Sequence, residues 1–113
     1  MSYPLIINNK IARFNKVISV SGDKSLSIRW VLLSSLANGT STAKNLLLSE
    51  DVLASINAIK ILGIKSKITK NKVKIFGKGF EGYKYKKNIT INAENSGTLG
   101  RIILGLLINT KHP

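Results

Sequence analysis

The sequence contains no cysteine, which excludes a disulfide framework, a cysteine nucleophile and any thiolate metal site. Its one histidine, His112, stands beside the last of 113 residues, so a histidine metal cluster and a Ser-His triad are excluded as well. Acids are scarce: Asp23, Glu50, Asp51, Glu81 and Glu94 are the only carboxylate side chains against 18 lysines and arginines. Arginine is rare within that basic set, with Arg13, Arg29 and Arg101 alone, and aromatic residues make up 6%. The longest apolar runs, around Ile28 to Leu36 and Ile102 to Ile108, are too short and interrupted to span a bilayer. The start, MSYPLIINNK, lacks the charged segment and small-residue cleavage site of a secretory signal. Together these absences lead us to expect a soluble intracellular chain without a membrane span.

What is present is 43% apolar residues, enough for one small domain or for part of a larger one. The net charge is +13, and most of the excess lies between Lys65 and Lys87. A basic run of that kind raises the possibility of a nucleic-acid-binding module, since clustered lysines attract phosphate and release counterions. Three features favour a solvated face instead, and hence no nucleic-acid partner. The lysines alternate with Ile68, Val73, Ile75 and Phe76 as on half-buried strands, bidentate arginines are few, and the aromatic residues form no stacking platform.

Periodicity divides the chain into alternating strands and helices. Pro4 to Ile7, Ile11 to Phe14 and Val17 to Val20 read as short strands, the last leading into Ser21-Gly22-Asp23. A helix is expected from about Ser25 to Ala37, with Leu26, Trp30, Leu33 and Ala37 as its apolar stripe, widened by Leu32 and Leu36. Asn38-Gly39 should stop it with a left-handed cap. Thr40 to Leu48 reads as a strand, followed by a helix with Ser49 as N-cap and Glu50 and Asp51 in its first turn. Val52, Ile56 and Ile59 stripe that helix and Gly63 closes it. A hairpin is expected from Lys65 to Thr69 and Val73 to Phe76 over Lys70-Asn71, then a strand from Ile89 to Ala93. Asn95-Ser96-Gly97-Thr98 opens a last helix, whose Gly100 and Gly105 suggest close packing against a neighbour. The fold class is therefore α/β. The last helix runs almost to Pro113 with nothing after it to cover its other face, as in a truncated domain.

Two strand-to-helix junctions carry the chemistry. At Ser21-Gly22-Asp23-Lys24-Ser25, glycine permits a sharp turn and puts Lys24 and Ser25 at a helix N-terminus, where free N–H groups favour an anion. Arg29 follows Ser25 by one turn on the same face and can bring a fork of donors to the same phosphate. The spacing is not that of a P-loop. The plain alternative is that Lys24 and Arg29 are solvated and Ser25 caps the helix. At Asn95-Ser96-Gly97-Thr98, with Arg101 one turn on, Asn95 can cap while Gly97 leaves room for a ligand. The plain alternative there is a capped helix with a surface arginine. Open α/β sheets bind ligands at such strand ends, so two junctions in one chain strengthen each other.

The blocks GDKSLSIR, LLLSEDVLASINAIKILGI and NSGTLGRIILGLL, in this order and spacing, resemble the N-terminal part of 3-phosphoshikimate 1-carboxyvinyltransferase, or EPSP synthase. The resemblance covers nearly the whole chain. It implies a fold built from repeated βαβαββ units, of which residues 1–113 form an incomplete first domain with the second domain absent. It implies transfer of the enolpyruvyl group of phosphoenolpyruvate to the 5-hydroxyl of shikimate 3-phosphate, with phosphate released, in aromatic amino-acid biosynthesis. It also implies that no metal or organic cofactor takes part and that the full-length enzyme is a monomer.

By the same resemblance Lys24 contacts both substrates, Ser25 and Arg29 hold shikimate 3-phosphate, and Gly97 lies against phosphoenolpyruvate. Asp51, Asn95, Thr98 and Arg101 fall in matching motifs near the site without an assigned role. Ser21 and Ile28 depart from the family, which usually has proline and histidine there. Ser21 loosens the turn, and Ile28 removes a polar group beside Arg29. The proton-transfer residues are expected beyond Pro113, so the chain alone should not turn over. The related transferase acting on UDP-N-acetylglucosamine fits less well, because it carries asparagine where this chain has Ser25. A non-functional remnant is the remaining alternative.

Overall fold

The protein is described by a computed structural model covering residues 3–10, 12–13, 15–108 and 110. Three helices, α1 (Lys24–Leu36), α2 (Glu50–Ile61) and α3 (Gly97–Leu106), accompany three strands, β1 (Asn38–Lys44), β2 (Lys65–Thr69) and β3 (Lys72–Lys78). The strands form one antiparallel sheet in the order β1-β3-β2. The register pairs Lys44 with Lys72 at one end and Asn38 with Lys78 at the other. β2 and β3 make the expected hairpin over Lys70-Asn71, with Thr69 opposite Lys72. One face of the sheet, through Val73 and Ile75, is covered by α1 and α2, and α3 packs on α1. Among the described residues no helix is long and apolar enough to cross a membrane.

α2 follows its sequence closely. Val52, Ile56 and Ile59 are buried as one stripe, and the helix ends in a Schellman motif. There Ile64 N–H donates to Ile59 O at 2.9 Å and Gly63 N–H to Lys60 O at 3.0 Å, with Gly63 at φ +86° where a side chain would be strained. Ser49 occupies the N-cap position, but its hydroxyl does not cap: Oγ is buried without a hydrogen-bond partner among the described residues.

α1 turns a different face inward from the one its stripe suggests. Ile28, Val31, Leu32 and Leu36 are buried beside Ser27, Ser34 and Ser35, whereas Leu26 and Leu33 are each 63% exposed. Apolar residues are spread around most of this helix, so periodicity alone selects no face. The serines let it lie close to its neighbours. Ser35 Oγ donates to Leu32 O at 2.5 Å, which leaves it to accept from the Tyr83 hydroxyl at 2.6 Å. Burial pushes the Tyr83 phenol up from its ordinary value of 10.0. The helix ends at Leu36 with an extended Ala37, and Gly39, at φ +120°, lies inside β1 and is not a left-handed cap.

Three expected strands lie at 4–7, 17–20 and 89–93. None pairs into the sheet: these segments carry no regular structure, and 3–10 and 15–20 are exposed. The strand expected at Ile11 to Phe14 begins and ends on residues outside the described set. At 89–93 the alternation is real, with Ile89, Ile91 and Ala93 half-buried against the core and Thr90 and Asn92 exposed, but no ladder partner is present among the described residues. β1 is shorter than expected, stopping at Lys44 before Asn45 adopts φ 57°. Gly105 has open space around it and Gly100 only ordinary contact with Ala93, so neither supports the tight packing expected of them.

Candidate functional site

The first junction is held by a close approach of two backbones. A Cβ on Gly22 would lie 2.7 Å from Leu47 N and 2.8 Å from Asn45 O, so only glycine fits. On either side of this contact, Asn45 Nδ2 donates to Val20 O at 2.5 Å and Leu47 N–H to Ser27 Oγ at 3.3 Å. The loop after β1 is thereby tied to the entrance of α1. Asp23, not Ser25, caps the helix: its backbone is extended and its carboxylate accepts from Leu26 N–H at 2.7 Å. Aspartate and serine rank alike as N-caps, so propensity leaves both open and the geometry selects Asp23.

Because the loop continues directly into α2, the first turns of α1 and α2 meet. Lys24 Nζ lies 3.2 Å from Asp51 Oδ2, with the lysine side chain 55% exposed and the aspartate 14%. This is the only ion pair among the described residues. Two helix N-termini and one ammonium converge here, and Asp51 offsets part of their positive charge. Ser25 is half-buried and Arg29 exposed, and neither has a hydrogen-bond or ion-pair partner among the described residues. Neither the hydroxyl nor the guanidinium is engaged by another described residue, and part of the Lys24 side chain stays exposed. Ile28 is fully buried, so its departure from the family's histidine falls in the core and does not alter the exposed side of α1.

At the second junction the cap is Ser96, not Asn95. Ser96 Oγ accepts from Leu99 N–H at 3.0 Å, and Asn95 is exposed. A tight turn precedes it, with Asn92 Oδ1 accepting from Glu94 N–H at 2.9 Å and Ser96 N–H donating to Ala93 O at 2.9 Å. Gly97 faces open space, with no atom within 4 Å of where a Cβ would stand. Thr98 is half-buried and Arg101 exposed, both without a polar partner among the described residues. The structure therefore brings Lys24 and Asp51 together, with Ser25 and Arg29 on the same helix, α1. It joins Gly97, Asn95, Thr98 and Arg101 to them only through the packing of α3 on α1. An apolar groove of about 790 Å³ runs between α3 and the 85–93 segment, and none of Lys24, Ser25, Arg29 or Gly97 lines it.

A family model described as EPSP synthase (3-phosphoshikimate 1-carboxyvinyltransferase) matches residues 8–112. Curated proteins of that name are similar to the chain. The one from Bacillus cytotoxicus is 41% identical over 84% of this chain and 22% of its own length. The one from Thermoanaerobacter sp. strain X514 is 42% identical over 93% of this chain and 25% of its own. A solved EPSP synthase from Acinetobacter baumannii superposes with a TM-score of 0.71 at 33% identity, covering 80% of this chain and 20% of that one. The chain thus spans about a quarter of the length of the curated relatives it matches.

Proposed function

The chain belongs to the EPSP synthase family, and from that premise we propose that it supplies the first anion-binding portion of an enolpyruvyl transferase. The reaction moves the enolpyruvyl group of phosphoenolpyruvate to the 5-hydroxyl of shikimate 3-phosphate and releases phosphate. The observation that carries this reading is the junction at α1, where Lys24, Ser25 and Arg29 offer three kinds of donor beside a helix N-terminus. In this reading Ser25 and Arg29 hold the phosphate of shikimate 3-phosphate, and Lys24 reaches both substrates. Gly97, with open space before it, leaves room for phosphoenolpyruvate. Asp51 holds the Lys24 ammonium in place, so that the long side chain is ordered before substrate arrives. Two phosphorylated substrates need this cationic framework, and the tetrahedral intermediate between them needs fixed charge stabilisation.

None of the five carboxylates matches the family's proton-transfer motifs. Asp23 is engaged as a cap, Asp51 with Lys24 and Glu94 with Asn92, while Glu50 and Glu81 lie exposed. The chain alone therefore binds without turning over; the complete enzyme works as a cytoplasmic monomer without metal or cofactor. Calorimetric titration of shikimate 3-phosphate into the purified chain tests the reading, with circular dichroism to verify folding. Charge-assisted hydrogen bonds are each worth about 1.5–3 kcal/mol, so Lys24→Ala and Arg29→Ala should each weaken binding about 10- to 100-fold. A folded chain whose affinity is unchanged by both substitutions refutes the assignment.

A further inference from the structure

The strand register places six lysines on the face of the sheet that points away from the helices. Val73 and Ile75 point into the core, so Lys72, Lys74, Phe76 and Lys78 point outward from β3. Lys44 stands opposite Lys72, Lys67 opposite Lys74 and Lys65 opposite Phe76, and all of them are exposed. No acidic residue lies on any of the three strands. Lysines that guard a sheet against edge pairing belong on its edge strands. Here half of them are on β3, which is the central strand. Like charges directly opposite one another destabilise an antiparallel pair, and this face has two such pairs, Lys44 with Lys72 and Lys67 with Lys74. Alternation by itself describes a solvated face. It does not account for paired lysines across three strands without a single carboxylate among them.

We propose that this face is a docking surface for single-stranded nucleic acid running along β3, separate from the junction at α1. Alternate residues on a strand repeat about every 6.8 Å, close to two steps of the roughly 3.4 Å rise of one nucleic-acid strand. Lys72 and Lys74 can thus meet phosphates two steps apart and Lys78 one about four steps further on, with Lys44, Lys65 and Lys67 flanking the path. Phe76, 40% exposed between Lys74 and Lys78, offers one ring on which a base stacks. Lysine serves as a point charge, so contact is with backbone and independent of base sequence. A membrane surface fits less well, because anchoring needs apolar groups that insert beside the basic ones, and this face offers Phe76 alone.

The test is fluorescence anisotropy of a labelled 20-nucleotide oligo-dT titrated with the purified chain between 50 and 300 mM KCl. Binding at 50 mM is expected, with affinity falling steeply as salt rises. Each phosphate contact contributes about 0.7 to the slope of log affinity against log salt on a single strand. The triple variant Lys67→Gln/Lys72→Gln/Lys74→Gln should therefore flatten the slope by about 2. The control Lys60→Gln/Lys84→Gln/Lys86→Gln, of equal net charge, should leave the slope nearly intact. Phe76→Ala should weaken binding several-fold without changing the slope, and Phe76→Trp should restore it. No binding at 50 mM KCl, or an equal loss in both triple variants, overturns the proposal. So does face-dependent capture by phosphatidylserine vesicles with no oligonucleotide bound. The face variant relieves like-charge repulsion and lies on exposed positions, so it should fold, as circular dichroism will report.

Discussion

Gly22→Ala offers the most direct test of how the fold positions the junction at α1. The added Cβ would sit 2.7 Å from Leu47 N, about 0.7 Å short of the 3.4 Å at which ordinary contact begins. Asn45 O, at 2.8 Å, and Leu47 Cβ, at 3.1 Å, close the other directions. The two nearest obstacles are backbone, so relief requires the 20–23 segment and the 45–47 loop to move apart by several tenths of an ångström. The contact with least reserve is the 3.3 Å bond from Leu47 N–H to Ser27 Oγ, and the 3.2 Å Lys24–Asp51 pair spans the same gap. Overpacking of this kind costs about 1–3 kcal/mol, and for a chain of this size each kcal/mol lowers the melting temperature by roughly 4 °C. Thermal unfolding followed by circular dichroism should therefore show a drop of about 4–12 °C. Because the same movement separates Lys24 from Asp51, affinity for shikimate 3-phosphate at a temperature where the variant is folded should fall as well. If Gly22→Ala melts within a degree of the parent, the two backbones are not in contact as described. If it melts lower but binds unchanged, the close approach serves stability alone.

The two serines at helix N-termini should behave oppositely. Ser96→Ala removes the oxygen that accepts from Leu99 N–H and should cost about 1 kcal/mol, whereas Ser49→Ala removes an unpartnered hydroxyl and should cost nothing measurable in denaturant unfolding. Gly97→Ala meets no atom within 4 Å and should leave the melting temperature unchanged. It should still weaken phosphoenolpyruvate binding in a calorimetric titration with shikimate 3-phosphate present. Tyr83 is more acidic unfolded than folded, because burial raises its pKa above 10.0. Its contribution to stability is therefore full below pH 10 and is lost as pH rises through the raised value. Absorbance titration at 295 nm should show a late phenolate step that Tyr83→Phe abolishes.

What the sequence revealed follows from how local each feature is. α2 was legible because its stripe, acidic first turn and closing glycine all lie within one short run, and its N–H groups find partners within it. The β2–β3 hairpin was legible for the same reason, since a two-residue turn sets its register. The inward face of α1 was not, because Leu26 and Leu33 lie outward while serines face the neighbours beside Ile28 and Leu32. Segments 17–20 and 89–93 alternate as strands do, yet a strand exists only where a second chain segment accepts its hydrogen bonds. At the two junctions the presence of a cap could be read but the capping residue was misplaced by one or two positions. Asp23 and Ser25, or Asn95 and Ser96, are comparable by propensity, and only geometry decides which oxygen reaches the free N–H. The meeting of Lys24 with Asp51 was the least accessible, because it depends on how the loop after β1 lies against residues 20–23.

The same geometry separates the charge of this protein into two parts of different character. At the junction, the N-terminal ends of α1 and α2 each carry about half a positive charge, and Lys24 and Arg29 add one each. Asp23 at the cap of α1 and Glu50 and Asp51 in the first turn of α2 bring the local sum close to zero. Anion binding there must rest on directed donors, not on net attraction. The sheet face is the reverse, with six lysines and no acid on its three strands. Screening weakens diffuse attraction between exposed charges far more than short, directed hydrogen bonds. Affinity for shikimate 3-phosphate should accordingly change by no more than a few-fold between 50 and 200 mM KCl, while oligonucleotide binding to the sheet falls by an order of magnitude or more. Parallel losses in the two titrations would mean that both ligands respond to the overall charge of +13 and that the junction contributes no directed site.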